Sequence, residues 1–109
     1  MRKIRVLFVP TEGTPTVDKI EDKLENYQEY VNGYIETDRI APGLIAVVNE
    51  EGVWLDLPLN SNIRKRTYFG NVIFCRIAGD EFDSLSLGDL IYLHDNHLRV
   101  PAEVRDAQD

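Results

Sequence analysis

The residues best equipped for chemistry lie between positions 60 and 71, where Asn60, Asn62, Arg64, Lys65, Arg66, Tyr68 and Asn71 fall close together. Arginine forks grip phosphate through two parallel hydrogen bonds, and lysine adds a point charge. Amides can read the edge of a base, and Tyr68 or Phe69 can stack on a ring. These seven residues are therefore candidate ligands for a nucleotide or short oligonucleotide. The plain alternative is an exposed loop whose charges aid solubility and whose aromatics anchor the core. A second candidate is the turn Asn49, Glu50, Glu51 before Gly52, either a recognition turn or ordinary turn chemistry with solvated carboxylates.

No catalytic set is legible. Cys75 sits in an apolar run, where a thiol behaves as a small hydrophobe, and no motif sets a base beside it. His94, Asp95 and His97 offer two imidazoles and a carboxylate, but no further ligands follow at metal-binding spacing. There is no phosphate-cradling glycine run and no dinucleotide fingerprint. The expectation is a protein that is not an enzyme, with no catalytic residues, metal or cofactor.

The elements that must position these groups follow from apolar periodicity. Ile4 to Val9 reads as a central strand, apolar on both faces apart from Arg5. Thr14 and Pro15 form a helix-start signal, and Val17, Ile20, Leu24, Tyr27 and Val31 follow at steps of three and four, predicting a long amphipathic helix from Pro15 to Val31. Asn32 and Gly33 supply a left-handed stop before a strand from Tyr34 to Thr37. Leu44 to Val48 and the alternating Val53, Leu55, Leu57 predict two strands joined across Asn49 to Gly52. Asn71 to Ile77 is a further strand, with Ile73, Cys75 and Ile77 on one face. Ser86 and Asp89 make a capping box for a short helix near residues 87 to 95. Residues 101–109 read as a short terminal helix or a frayed tail. The predicted fold is a single α+β domain over residues 1–109. A small, mainly antiparallel sheet carries one long amphipathic helix on one face and a minor C-terminal helix, with Trp54, Tyr27 and Tyr34 in the core.

Charge is uneven. The 109 residues carry a net charge of −7, yet residues 60 to 77 hold Arg64, Lys65, Arg66 and Arg76 and no acid. The overall sign argues against nonspecific duplex-DNA binding, which needs a broad basic face. Asp18, Glu21, Asp22, Glu25 and Glu29 fall on the outer face of the predicted helix. Such a face either solubilises the chain or meets a basic partner by mimicking a nucleic-acid backbone.

The stretches Gly33 to Glu36, Val47 to Gly52, Leu57 to Asn60 and Gly70 to Ile73, in that order, resemble a small domain family of unknown function found as stand-alone proteins of phages, plasmids and other bacterial mobile elements. The resemblance implies a genomic setting and a fold rather than a mechanism. The basic segment Arg64 to Arg66 and the acidic tail depart from the pattern.

A single cysteine excludes an internal disulfide and fits a reducing cytoplasm, that of a bacterial host cell in the setting the resemblance implies. The apolar run from Val6 to Val9 ends at Pro10, far short of a membrane span. The expectation is an accessory protein that binds a nucleotide-like anionic small molecule and sequesters a host immune signal. The alternative is an acidic interaction protein that blocks a host defence or DNA-binding protein. A homo-oligomer is compatible with either.

Overall fold

Ile4, Val6 and Phe8 alternate with Leu7 and Val9, so the first strand is apolar toward both sides and takes an interior place in the sheet. The computed structural model, which describes residues 2–105, places this strand, β1 (Lys3–Val9), between two antiparallel neighbours, β2 (Thr16–Glu21) and β5 (Val72–Ala78). β3 (Ile35–Ala41) and β4 (Leu44–Asn49) form a hairpin that turns at Pro42 and at Gly43, whose φ is +74°. β4 also pairs with β5. β6 (Glu81–Asp83) folds back on the end of β5, and β7 (Glu103–Val104) adds to β2 in parallel. The order is β3-β4-β5-β1-β2-β7 with β6 beside β5, a seven-stranded mixed sheet.

The sheet is covered on both faces. Ile4, Val6, Ile45, Val47, Ile73 and Cys75 meet Tyr27 of α1 (Leu24–Val31). On the other face Leu7, Val9, Ala46, Val72 and Phe74 meet Leu93 of α2 (Leu87–His97), together with Ile63 and Tyr68 from the long connection between β4 and β5. α2 starts on a capping box: Ser86 Oγ accepts from Asp89 N–H at 3.1 Å, and the Asp89 carboxylate accepts from Ser86 N–H at 2.9 Å. Among the described residues, no helix is long and apolar enough to cross a membrane.

This architecture overturns the expected small sheet with one long helix. Thr16 to Glu21 is a strand in six-residue register with β1, and only Leu24 to Val31 is helical. Val17 and Ile20 fit a helical stripe by spacing, yet on β2 they point to opposite faces and enter different core clusters. Their β-branched side chains, with Thr16, suit the pleated strand better than the helix. The acidic helix face dissolves with the long helix. Asp18 and Glu21 belong to β2, Asp22 accepts a 2.6 Å hydrogen bond from Tyr27, and only Glu25 and Glu29 remain on α1.

The expected hairpin across Asn49 to Gly52 is also replaced. β4 pairs with β3 and β5, while residues 51–56 form consecutive turns. The cause is Asn49, whose Oδ1 accepts from Glu51 N–H at 2.7 Å and whose Nδ2 donates to the carbonyls of Val31 and Asn32 at the end of α1. The chain is bent at that point and continues through hydrogen bonds from Leu55 N–H to Glu51 and from Leu57 N–H to Gly52. Tyr27 is in the core, but Trp54 is 89% and Tyr34 67% exposed. Residues 106–109, part of the expected tail, lie outside the described residues, and 103–104 form β7.

Candidate binding groove

The connection carrying the seven candidate ligands runs from the turns after β4 to the start of β5, and each of the seven has a hydrogen-bond partner inside the chain. Asn60 is buried, and its Nδ2 donates to the carbonyls of Val9 and Gly70 at 2.9 and 3.0 Å. Asn62 donates to Pro10 and Gly13. Asn71 donates to the Tyr30 carbonyl and accepts from Thr11 N–H. Asn60 and Asn62 satisfy carbonyls at and just beyond the end of β1, and Asn71 satisfies one in the last turn of α1, tying the connection to both. Tyr68 gives its hydroxyl proton to Asp38 at 2.6 Å, and Arg66 approaches the same carboxylate at 3.3 Å. Burial, then the Asp38 hydrogen bond, raises the Tyr68 pKa.

Arg64 and Lys65 serve the end of α2. The Arg64 guanidinium donates to the carbonyls of Leu98 and Asp95, and Lys65 Nζ donates to Asn96 Oδ1 at 3.1 Å. Cations belong at a helix C-terminus, where unpaired carbonyls concentrate negative charge. The turn residues Glu50 and Glu51 point to solvent, while Asn49 is buried.

The remaining chemical candidates separate. His94 is exposed and lies 3.0 Å from Asp95, whereas His97 is buried against the rings of Phe74 and Tyr92. Burial lowers the His97 pKa, and the positive charges of Arg66, Lys65 and Arg64 lower it further. Among the described residues, no three His, Cys, Asp or Glu side chains are grouped to hold a metal ion. Cys75 is fully buried, and burial followed by the charge of Asp22 pushes its thiol up to about 12.

A different part of the molecule gathers cations around aromatic rings. α1 packs over β4 and β5, and a groove of about 620 Å³ opens between it and the β1–β2 hairpin. Lys3, Lys19 and Lys23 line this groove together with Phe8 and Tyr30, whose ring centroids are 4.9 Å apart. Asn26, Asn32 and Asn71 add amides, and Glu21 and Glu29 add two carboxylates. Lys23 lies 3.5 Å from Glu21. Desolvation, then the charge of Asp18, raises the Tyr30 pKa.

Of the seven candidates from the sequence, only Asn71 reaches this groove. Lys3 and Lys19 are distant in sequence and border one groove because β1 and β2 pair with Lys3 opposite Glu21 and Arg5 opposite Lys19. A helical reading of residues 15 to 31 hides that register. The turn-forming run of Thr11, Gly13 and Pro15 was the one signal that could have exposed a hairpin there.

The chain belongs to the family described as Domain of unknown function (DUF3846), which matches residues 4–96. No curated protein and no solved structure matches it.

Proposed function

We propose that this protein is a non-enzymatic binding protein that holds a nucleotide-like anion in the groove between α1 and the β1–β2 hairpin. The observation that carries this reading is the lining itself, Lys23 beside the Phe8–Tyr30 aromatic wall, with Lys3 and Lys19 bordering it from the other pleat of the β1–β2 hairpin. Ammonium groups draw in phosphate, a ring can stack on Phe8 or Tyr30, and Glu21 and Glu29 can accept from sugar hydroxyls or an exocyclic amine. A groove of about 620 Å³ falls within the roughly 300–1,000 Å³ of small-molecule sites. The loop cations are less suited, since Arg64 and Lys65 are committed to the carbonyl end of α2. In the mobile-element setting that the sequence resemblance implies, a phage or plasmid accessory protein of this kind withdraws a host immune signal in the bacterial cytoplasm.

The test is native mass spectrometry after incubation with a panel of cyclic dinucleotides, mononucleotides and ADP-ribose derivatives. The expected result is a retained adduct that disappears in the Lys3→Ala/Lys23→Ala double variant and survives Lys65→Ala. No adduct across the panel, or an adduct sensitive to Lys65→Ala alone, refutes the groove as the site.

A further inference from the structure

Beyond the C-terminal end of α1, to which Asn49 is tied, the turns that follow β4 present three consecutive apolar side chains to solvent. Val53 is 70% exposed, Trp54 89% and Leu55 53%. An isolated exposed leucine is unremarkable, but a tryptophan standing almost free beside two aliphatic side chains marks a surface that meets something else. The presentation is built into the backbone. Asn49 fixes the entry, and the hydrogen bonds from Leu55 to Glu51 and from Leu57 to Gly52 close the turns. Gly52 is buried, and a Cβ there would lie 2.7 Å from the Phe69 carbonyl oxygen, so the turn is pressed against the strand-like segment around Phe69.

Beside this knob is a cleft of about 290 Å³. Trp54 and Phe69 supply exposed aromatic rings to its lining beside the buried Tyr68, Glu36 and Glu50 supply two carboxylates, and no basic side chain lines it. Aromatic faces attract cations through the ring quadrupole, and guanidinium is the side-chain cation that also stacks flat on a ring. Carboxylates at the mouth add the charge term and the hydrogen-bond acceptors that an arginine fork requires. The apolar knob then demands aliphatic neighbours for that arginine.

We propose that this cleft docks a basic segment of a partner protein, with an arginine inserted between Trp54 and Phe69 and apolar residues beside it resting on Val53 and Leu55. The partner is identified by complementarity: the site offers rings and carboxylates where the segment offers guanidinium and aliphatic groups. The site is separate from the lysine-lined groove, shares no lining residue with it, and does not depend on the nucleotide reading.

The test uses a short fluorescein-labelled peptide of alternating arginine and leucine, read by fluorescence anisotropy against the whole protein. The control is the citrulline counterpart, which keeps the shape and loses the charge. The arginine peptide is expected to saturate, and the citrulline peptide to bind at least about tenfold more weakly. Trp54→Ala and the Glu36→Gln/Glu50→Gln double variant are each expected to weaken binding by a similar factor. These side chains are exposed, and far-ultraviolet circular dichroism verifies that the variants fold. The Lys3→Ala/Lys23→Ala variant should bind the peptide as the unaltered protein does, which keeps this result separate from the groove's. Equal binding of the two peptides, or no effect of Trp54→Ala, overturns the proposal. Full competition by tetramethylammonium reassigns the cleft to small cations. Concentration-dependent dimerisation that Trp54→Ala abolishes reassigns the surface to a second copy of the chain.

Discussion

Replacing Asp89 by asparagine removes the buried negative charge of a two-pronged ion pair. Arg76 meets this carboxylate through two nitrogens, at 3.0 and 2.7 Å, and Asp89 is only 7% exposed. The Arg76 guanidinium, helped by the Ser86 donors and opposed by desolvation, holds the Asp89 carboxyl at about 2. A fall of that size from the ordinary carboxylate value corresponds to about 2 kcal/mol of folding free energy. Asparagine keeps an acceptor for Ser86 N–H, and Arg76, 37% exposed at its side chain, can rehydrate, so the loss in Asp89→Asn should stay near that figure. In urea unfolding at pH 7 this is a midpoint shift of about 1 M. The sign of the pH dependence is fixed by the depressed pKa. The contribution is complete above the unfolded carboxyl's pKa of about 4 and disappears as pH falls through the folded value, so about half should be gone at pH 3. The variant and the unaltered protein must therefore converge on acidification. A gap that is the same at pH 7 and pH 3, or one below about 0.5 kcal/mol as for exposed surface pairs, refutes the reasoning.

Asn60→Ala strands the buried carbonyls of Val9 and Gly70 and should cost about 2–4 kcal/mol in thermal unfolding. Asn60→Asp, which has the right shape but points an acceptor at those carbonyls, should fare no better; a neutral result for either substitution shows that the amide is not the clamp described. Cys75, buried with its thiol pushed up to about 12, should resist a thiol reagent at pH 8 until the protein unfolds, and labelling within seconds in the native state contradicts that environment.

What could be read from the sequence depended on how local its cause was. β1 and β5 were legible because apolar residues on both faces permit only an interior strand, and the start of α2 because Ser86 and Asp89 sit three residues apart. The run from Thr16 to Val31 was misread because spacings of three and four are shared by a helix stripe and by a strand that buries both faces before a short helix. Trp54 was assigned to the core by residue type, and only the side-chain bonds of Asn49, made to a helix distant in sequence, turn it outward. The lysine-lined groove depends on the β1–β2 register, and the aromatic cleft on residues from three separate segments. Asparagines that bind a ligand and asparagines that satisfy stray carbonyls have the same composition; their partners distinguish them, and those partners are tertiary.

The place of β1 in the sheet governs how the molecule can assemble. Its inner neighbour is β5, with Val9 opposite Val72, so the first strand waits for a partner made late in synthesis. Until then a nascent β1–β2 hairpin and a β3–β4 hairpin each carry an open edge, and neither has a complete core. Joining them closes a long loop before its contacts can compensate, an order of events that slows folding. The emergence of β5 from the ribosome is thus the step at which two unstable hairpins become one sheet.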